Sequence, residues 1–181
     1  MILKNDKVTL RHIKAEDIAN YIHWTTVETE FMKWDAPWEW VEDPDPTEFI
    51  EWRKSLIERP SDYSLEIETS DGEHIGWVNS YDVDGDESKL AIGIDIPPLS
   101  ARRKGFAYAA LTLFMEYLFQ TRDVLYTQTW SGNVRMIALA EKLGFKEVRR
   151  LKDLRFVDGK NYDGLTFAIT KTEFYQNKGN E

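Results

Sequence analysis

The sequence predicts a mixed α/β (α+β) domain in which a mostly antiparallel central sheet of about seven strands is flanked by about four helices. Three observations predict it. Short alternating runs bounded by turn residues interleave with stretches of helical spacing; three strand runs follow one another from Tyr63 to Ile96; and a further strand run separates the helix-spaced stretches after Gly105 and after Asn133. The 181 residues suit one domain, expected over residues 1–173, with 174–181 as a flexible tail.

Lys7 to His12 alternates weakly and reads as a strand, after which Ile18, Tyr21, Ile22 and Val27 recur at helical spacing. Asp43-Pro-Asp-Pro interrupts regular structure, and Thr47 is placed to cap a helix through Phe49, Ile50, Trp52, Arg53 and Leu56 that stops before Pro60. Tyr63, Leu65, Ile67 and Thr69 alternate with Ser64, Glu66 and Glu68, and Ser70-Asp-Gly turns the chain into a second arm, His74 to Val83. Asp84-Gly-Asp turns it again into Lys89 to Ile96, which Pro97-Pro98 ends because proline cannot donate to a ladder. Gly105 to Gln120 lacks proline and carries Phe106, Ala110, Leu113, Phe114, Tyr117 and Leu118 at helical spacing. Val124 to Trp130 reads as a strand and Asn133 to Leu143 as a helix stopped by Gly144. Lys146 to Phe156 and Leu165 to Thr170 close the domain as a hairpin.

Composition narrows the function classes. With 23 Lys plus Arg against 32 Asp plus Glu, the formal charge is −9, which leaves no broad basic footprint for nucleic acid or an anionic membrane. There is no cysteine, so disulfides, thiol nucleophiles and thiolate metal sites are excluded, and a reducing cytoplasm is the expected location. No run approaches the roughly 18 to 20 apolar residues of a membrane span, and no secretory pattern opens the chain. His12, His23 and His74 have no metal-ligand spacing, so no metal is expected.

The junction Arg102-Arg-Lys-Gly105-Phe-Ala107 carries the most chemistry. Glycine where a loop enters a helix lets backbone N–H groups converge, the helix N-terminus favours an anion, and three basic residues stand there in an acidic chain. Neither the Walker phosphate loop nor a dinucleotide glycine fingerprint is present. The segment instead resembles the [QR]-x-x-G-x-[GA] loop of the GCN5-related N-acetyltransferases (GNAT). Its placement after a strand ending in Pro97-Pro98, followed by Asn133-Val-Arg-Met-Ile-Ala-Leu-Ala-Glu-Lys-Leu-Gly-Phe145, matches that family's order of signatures, and the resemblance runs from Val8 to Ile169. Arg150 to Asp163 is similar to the ribosomal-protein N-terminal and spermidine acetyltransferase branches.

The resemblance implies a GNAT-like acyl-CoA N-acyltransferase fold, with acetyl-CoA as co-substrate. It implies that backbone around Arg102, Arg103, Lys104, Gly105, Phe106 and Ala107 binds the pyrophosphate, that Ile94, Asp95 and Ile96 offer main-chain groups to the pantetheine, and that Asn133 reaches the cofactor. Asn133 is equally a helix cap. The amide near Asp95 or Ile96 is the implied oxyanion donor. The family's usual acids are absent, with Ala140 in place of tyrosine and Met136 in place of serine, which leaves a water, Tyr108 or Tyr81.

Base candidates are Asp95, Glu66 and Asp82, with Glu68 beside them, each able to face a groove if register permits. Five of the seven tryptophans, Trp24, Trp34, Trp38, Trp40 and Trp52, accompany nine acidic residues and one base between Glu28 and Glu51. In this fold that stretch is the implied acceptor wall, and Trp24, Trp34 and Trp38 are its candidates for holding a cationic amine. Core packing is the competing role for each. The expected partner is a small-molecule amine or a peptide N-terminus, such as a polyamine, an aminoglycoside or a protein terminus. The alternatives are a catalytically silent acyl-CoA-binding domain and a Trp-rich protein-interaction module. The resemblance and the aromatic excess suggest a homodimer, with the oligomeric state left open.

Overall fold

The structure, a computed structural model, describes residues 2–38 and 45–179. Its strands are β1 (Ile2–Lys4), β2 (Val8–Arg11), β3 (Ser64–Thr69), β4 (His74–Val83), β5 (Asp86–Asp95), β6 (Val124–Trp130), β7 (Lys146–Val157) and β8 (Lys160–Thr170). Its α-helices are α1 (Asp17–Thr26), α2 (Thr47–Glu58), α3 (Phe106–Leu118), α4 (Val134–Lys142) and α5 (Lys171–Lys178), with 3₁₀ turns at Thr29–Lys33 and Leu99–Ala101. The strand order is β1-β2-β3-β4-β5-β6-β8-β7. β5 and β6 run parallel, whereas β1/β2, β2/β3, β3/β4, β6/β8 and β7/β8 pair antiparallel. This is the mixed, mostly antiparallel α/β sheet that the sequence predicts.

Two compact units divide the chain. The first comprises Met1–Asn79 with Ile94–Phe114. Here Ile13, Tyr21, Trp24, Phe31, Met32, Ile50 and Trp77 form a buried cluster, with Ile18, Phe49, Leu56 and Ile57 packed on it. The rings meet edge-on or tilted, Tyr21 with Trp24 at 5.4 Å and with Trp77 at 5.1 Å, geometries that suit their quadrupoles.

A charged network lies inside this aromatic cluster. Glu66 on β3 is fully buried, accepting from the Tyr21 hydroxyl at 2.6 Å and the Arg53 guanidinium at 2.5 Å, with His74 Nε2 at 2.8 Å. Arg53 is itself fully buried, also donates to Ser64 Oγ at 3.2 Å, and lies 4.2 Å over the Tyr21 ring. His74 reaches on toward Asp17, which Arg11 clasps with two hydrogen bonds at 2.7 and 2.9 Å. Burial alone would raise the Asp17 pKa, but the bonds from Arg11 and the Lys14 amide and the charge near His74 hold it below the ordinary carboxylate range.

The second unit comprises Ser80–Gly93 with Met115–Glu181. Ala91 on β5 stands opposite Tyr126 on β6, and the Thr127 hydroxyl donates to the Ile92 carbonyl at 2.9 Å. Leu90, Ile92, Leu125, Trp130, Leu143, Phe145, Leu165, Phe167 and Ile169 are buried.

The sequence expectations need three corrections. The sheet has eight strands among the described residues, because the three-residue β1 is too short to show periodicity and is recruited by pairing with β2. There are five α-helices among them, and α5 occupies much of the stretch expected to be a tail. A capping box between Thr170 and Glu173 starts it, and buried Phe174 stacks on Phe119 at 5.2 Å. Finally, β5 and β8 begin earlier than the apolar pattern indicates, at Asp86 and Lys160, since each hairpin turns on a tight Asp-Gly pair with positive φ, Asp84-Gly85 and Asp158-Gly159.

Removing the guanidinium from the buried network strands a carboxylate. Arg53→Met should therefore lose about 3 to 5 kcal/mol in urea unfolding, and adding Glu66→Gln should restore part of that loss by replacing the orphaned charge with a neutral amide.

Candidate active site

The basic junction forms as a connection between the end of β5 and the start of α3. After Asp95, the chain passes Pro97-Pro98 and the 3₁₀ turn, and then takes left-handed φ values at Arg103 (+61°) and Gly105 (+82°) before α3 begins at Phe106. A non-glycine residue such as Arg103 in that region is uncommon, and left-handed residues in a turn are the backbone pattern from which anion-binding concavities are made. The first-turn amides of α3 have no partner within the helix, and the helix dipole places positive charge at the same end. The positive φ is what calls for glycine at 105; a Cβ there would meet Lys7 Nζ at 2.9 Å, the tip of a flexible side chain that could move aside. Arg103, Lys104 and Gly105 are exposed, and Phe106 and Ala107 half-buried.

Arg102 does something different from its neighbours. Its Nε donates to the Ile96 carbonyl at 3.0 Å, one terminal nitrogen donates to the Pro97 carbonyl at 3.0 Å, and the other pairs with Glu30. The side chain thus staples the loop to the end of β5 and is already engaged with protein. The Leu99 amide donates to Glu28 at 2.9 Å, so two acids of the stretch after α1 hold this loop. Gly76 permits close packing at the strand end, since a Cβ there would lie 2.0 Å from the Asp95 carbonyl oxygen. Ile94, Asp95 and Ile96 are each partly buried.

The three candidate bases have different surroundings. Glu66 is fully buried with both oxygens taken, which makes it part of the core network rather than a groove carboxylate. The alternation that sets Glu66 apart from Leu65 and Ile67 is real, but α1 and α2 supply Tyr21 and Arg53 over its face too, so both faces of β3 are covered. Asp82 is exposed near the β4–β5 turn. Asp95 is distinct: burial pushes its carboxyl well above the usual carboxylate range, nearby Asp35 pushes it further, and Arg53 and Arg102 oppose the rise. Among the described residues no hydrogen bond reaches that carboxyl. Glu68 is held below the ordinary range, its burial outweighed by Arg11 and Lys14.

Of the tryptophans, Trp24 is buried against Tyr21, His74 and Trp77, and so is a core residue. Trp34 and Trp38 are half-buried, and the Trp34 indole donates to Glu30 at 2.8 Å. Trp40 lies outside the described residues. In the second unit Asn133 caps α4, its Oδ1 accepting from the Met136 amide at 3.0 Å. Ala140 is fully buried and Met136 partly so. Tyr108 is half-buried in the first turn of α3, and Tyr81 is exposed. Lys7 and Asp35 were not candidates in the sequence. Lys7 precedes the loop by nearly a hundred positions, and Asp35 is one acid among nine.

Among the described residues no group of three or more His, Asp or Glu is arranged to hold a metal, and no helix is long and apolar enough to cross a membrane. The profile of the acetyltransferase (GNAT) domain matches residues 7–146, and the chain belongs to that family of acetyl-CoA-dependent acyltransferases. It is 29% identical over 132 residues to the SPbeta prophage-derived uncharacterized N-acetyltransferase YokL of Bacillus subtilis (strain 168), covering 71% of this chain and 73% of that protein. Its fold is similar to that of the spermidine N-acetyltransferase from Vibrio cholerae, solved in complex with CoA and spermine, with TM-score 0.74 and 19% identity over 94% of this chain and 99% of that one. It is similar, too, to the RimL ribosomal L7/L12 alpha-N-protein acetyltransferase in complex with CoA, with TM-score 0.74 and 14% identity over 94% and 98%.

Asp95 links this site to stability. A carboxyl whose pKa is raised by folding binds more protons folded than unfolded, so stability is greatest below the ordinary carboxylate range and falls as pH rises through the native pKa. Asp95→Asn should remove that component of the fall and leave the protein more stable than the parent near neutral pH. Urea midpoints of both proteins across about pH 4 to 8, a range that begins at the ordinary carboxylate value and extends above it, test this; parallel profiles would refute it.

Proposed function

We propose that this chain transfers an acetyl group directly from acetyl-CoA to a primary amine, with the diphosphate held at the start of α3. The observation that carries the reading is the loop itself: left-handed backbone at Arg103 and Gly105 stands directly before the N-terminus of α3, where exposed basic residues gather and first-turn amides favour an anion. The residues fit the group, because Gly105 puts no side chain into the loop and Arg103 and Lys104 beside it are exposed cations. Amides from Arg103 to Ala107 would hold the diphosphate, and the main chain of Ile94, Asp95 and Ile96 the pantetheine. Bound acetyl-CoA supplies an activated thioester.

The chain's own residues then have three tasks. The amide near Asp95 or Ile96 donates to the carbonyl oxygen as charge develops there. Asp95 accepts the proton that the amine must lose, a role for which a raised carboxyl pKa is suited. Asp35, with Trp34 and Trp38, offers a cation the negative charge and ring faces it prefers. A polyamine, an aminoglycoside or a peptide N-terminus satisfies that chemistry, and the similarity of Arg150 to Asp163 to the ribosomal-protein and spermidine branches supports an acceptor of those kinds. Direct transfer forms no covalent enzyme intermediate, in keeping with the absence of cysteine.

One observation favours a second reading, a silent acyl-CoA-binding domain: the position of the usual acid is Ala140, which is fully buried. Thiol release from acetyl-CoA with a panel of polyamines, aminoglycosides and N-terminal peptides separates the two. Saturable release with at least one amine class is expected, and retained CoA binding without turnover on any of them selects the second reading. Calorimetry with CoA should also show Gly105→Glu weakening binding by well over tenfold, because the new side chain is strained at positive φ and places an anion where the diphosphate belongs. Unchanged affinity would remove the loop from the site.

A further inference from the structure

We infer that Lys7 belongs to the cofactor site and that its ammonium neutralises the diphosphate at the start of α3; this rests on the reading of the loop given above. Lys7 lies in the turn between β1 and β2, and that turn is fixed. Asn5 Oδ1 accepts from the amides of Lys7 and Val8, each at 3.0 Å, while Asn5 Nδ2 donates to the Ala109 carbonyl of α3 at 3.0 Å. The Lys7 carbonyl accepts from the Ser70 amide at 3.1 Å. From this anchored backbone Lys7 Nζ donates to the Lys104 carbonyl at 3.3 Å and sits 2.9 Å from the place a Cβ on Gly105 would take. The cation therefore occupies ground that the glycine leaves open, and it still has two N–H donors to offer.

Its charge is the second argument. Among the described residues no carboxylate pairs with Lys7, Arg103 or Lys104, although the chain as a whole carries nine surplus negative charges. Three cations beside a helix N-terminus share the sign of the dipole end they face, an arrangement that an anion relieves. A dianionic diphosphate, gripped by amides on one side and by the ammonium on the other, meets that need.

The experiment compares the full chain with Lys7→Met and Lys7→Arg. CoA and dephospho-CoA affinities are measured by calorimetry, and turnover is measured with acetyl-CoA and with acetyl-pantetheine, which lacks the phosphates. Lys7→Met is expected to weaken both nucleotides roughly tenfold, as loss of a charge-assisted bond predicts, with a shallower dependence on salt. Lys7→Arg should retain most of the affinity, and acetyl-pantetheine turnover should not change. A thermal melt confirms folding, and Lys7→Gln serves in place of Lys7→Met if the latter does not fold. Equal binding by parent and variant overturns the role of Lys7 while leaving the loop intact. A loss seen with CoA and absent with dephospho-CoA moves the contact to the 3′-phosphate and overturns the diphosphate assignment. An equal loss of acetyl-pantetheine turnover shows a purely structural staple. If the parent itself gives no heat with CoA, the reading of the loop fails and this inference with it.

Discussion

A carboxylate with no exposure must be met by groups that cost less than its hydration, and Glu66 is met by three. Tyr21 comes from α1, Arg53 from α2 and His74 from β4, so satisfying one charge on β3 fixes the approach of two helices and a strand at once. Burying an ion pair is weakly stabilising at best, but leaving either member alone is strongly penalised, and the penalty discriminates against every packing that separates them. The aromatic cluster around the pair is non-directional by comparison. Arg53 also carries the effect outward, because it is one of the two cations that oppose the rise in the pKa of Asp95. Among the described residues its buried Nε has no hydrogen-bond partner, so its position is set by the carboxylate and the rings rather than by a full set of bonds.

The loop before α3 is stabilised by different means. Arg102 spends its donors on two carbonyls at the end of β5 and on Glu30, and the backbone that follows takes left-handed φ at Arg103 and Gly105 with Lys7 bonded to the Lys104 carbonyl. The Arg102 side chain thus rigidifies the strand end, and in the proposed site the main chain that follows it would be left to receive the anion. A preorganised set of amides loses little freedom when an anion arrives, which is the advantage of such a cradle over flexible lysines.

Most of the fold was legible because it rests on local rules. Periodicity located the strands from Tyr63 to Ile96 and the helices α3 and α4, and the Asp-Gly turns located both hairpins even where the strand ends were placed too late. β1 and α5 were not legible, as three residues have no period and a polar helix of eight depends on a cap and one phenylalanine docked at a distance in sequence. The basic loop 102–107 stands out in the sequence because its residues are contiguous. Glu66 and Trp24 could not be read, because alternation tells which face a residue occupies and not whether another element covers that face. Lys7 and Asp35 act near residues far away along the chain, and no local pattern marks them.

The buried alanine at position 140 bears on which proton matters in the proposed reaction. A thiol has a pKa near 8.5, so a thiolate is a tolerable leaving group near neutral pH and gains only modestly from a general acid. An alkylammonium, with a pKa near 10.4, is the larger obstacle, for it has no lone pair until a proton is removed. A chain that lacks the acid but keeps a desolvated carboxylate at the end of β5 has thus retained the group that addresses the harder step. In the proposed reaction the same carboxylate would attract the cation before deprotonating it, and Asp35, which raises the basicity of Asp95, would add to the attraction. On this view the acidic stretch between α1 and α2 has two functions in one segment: Glu28 and Glu30 brace the loop that would hold the donor, and Asp35 draws in the acceptor.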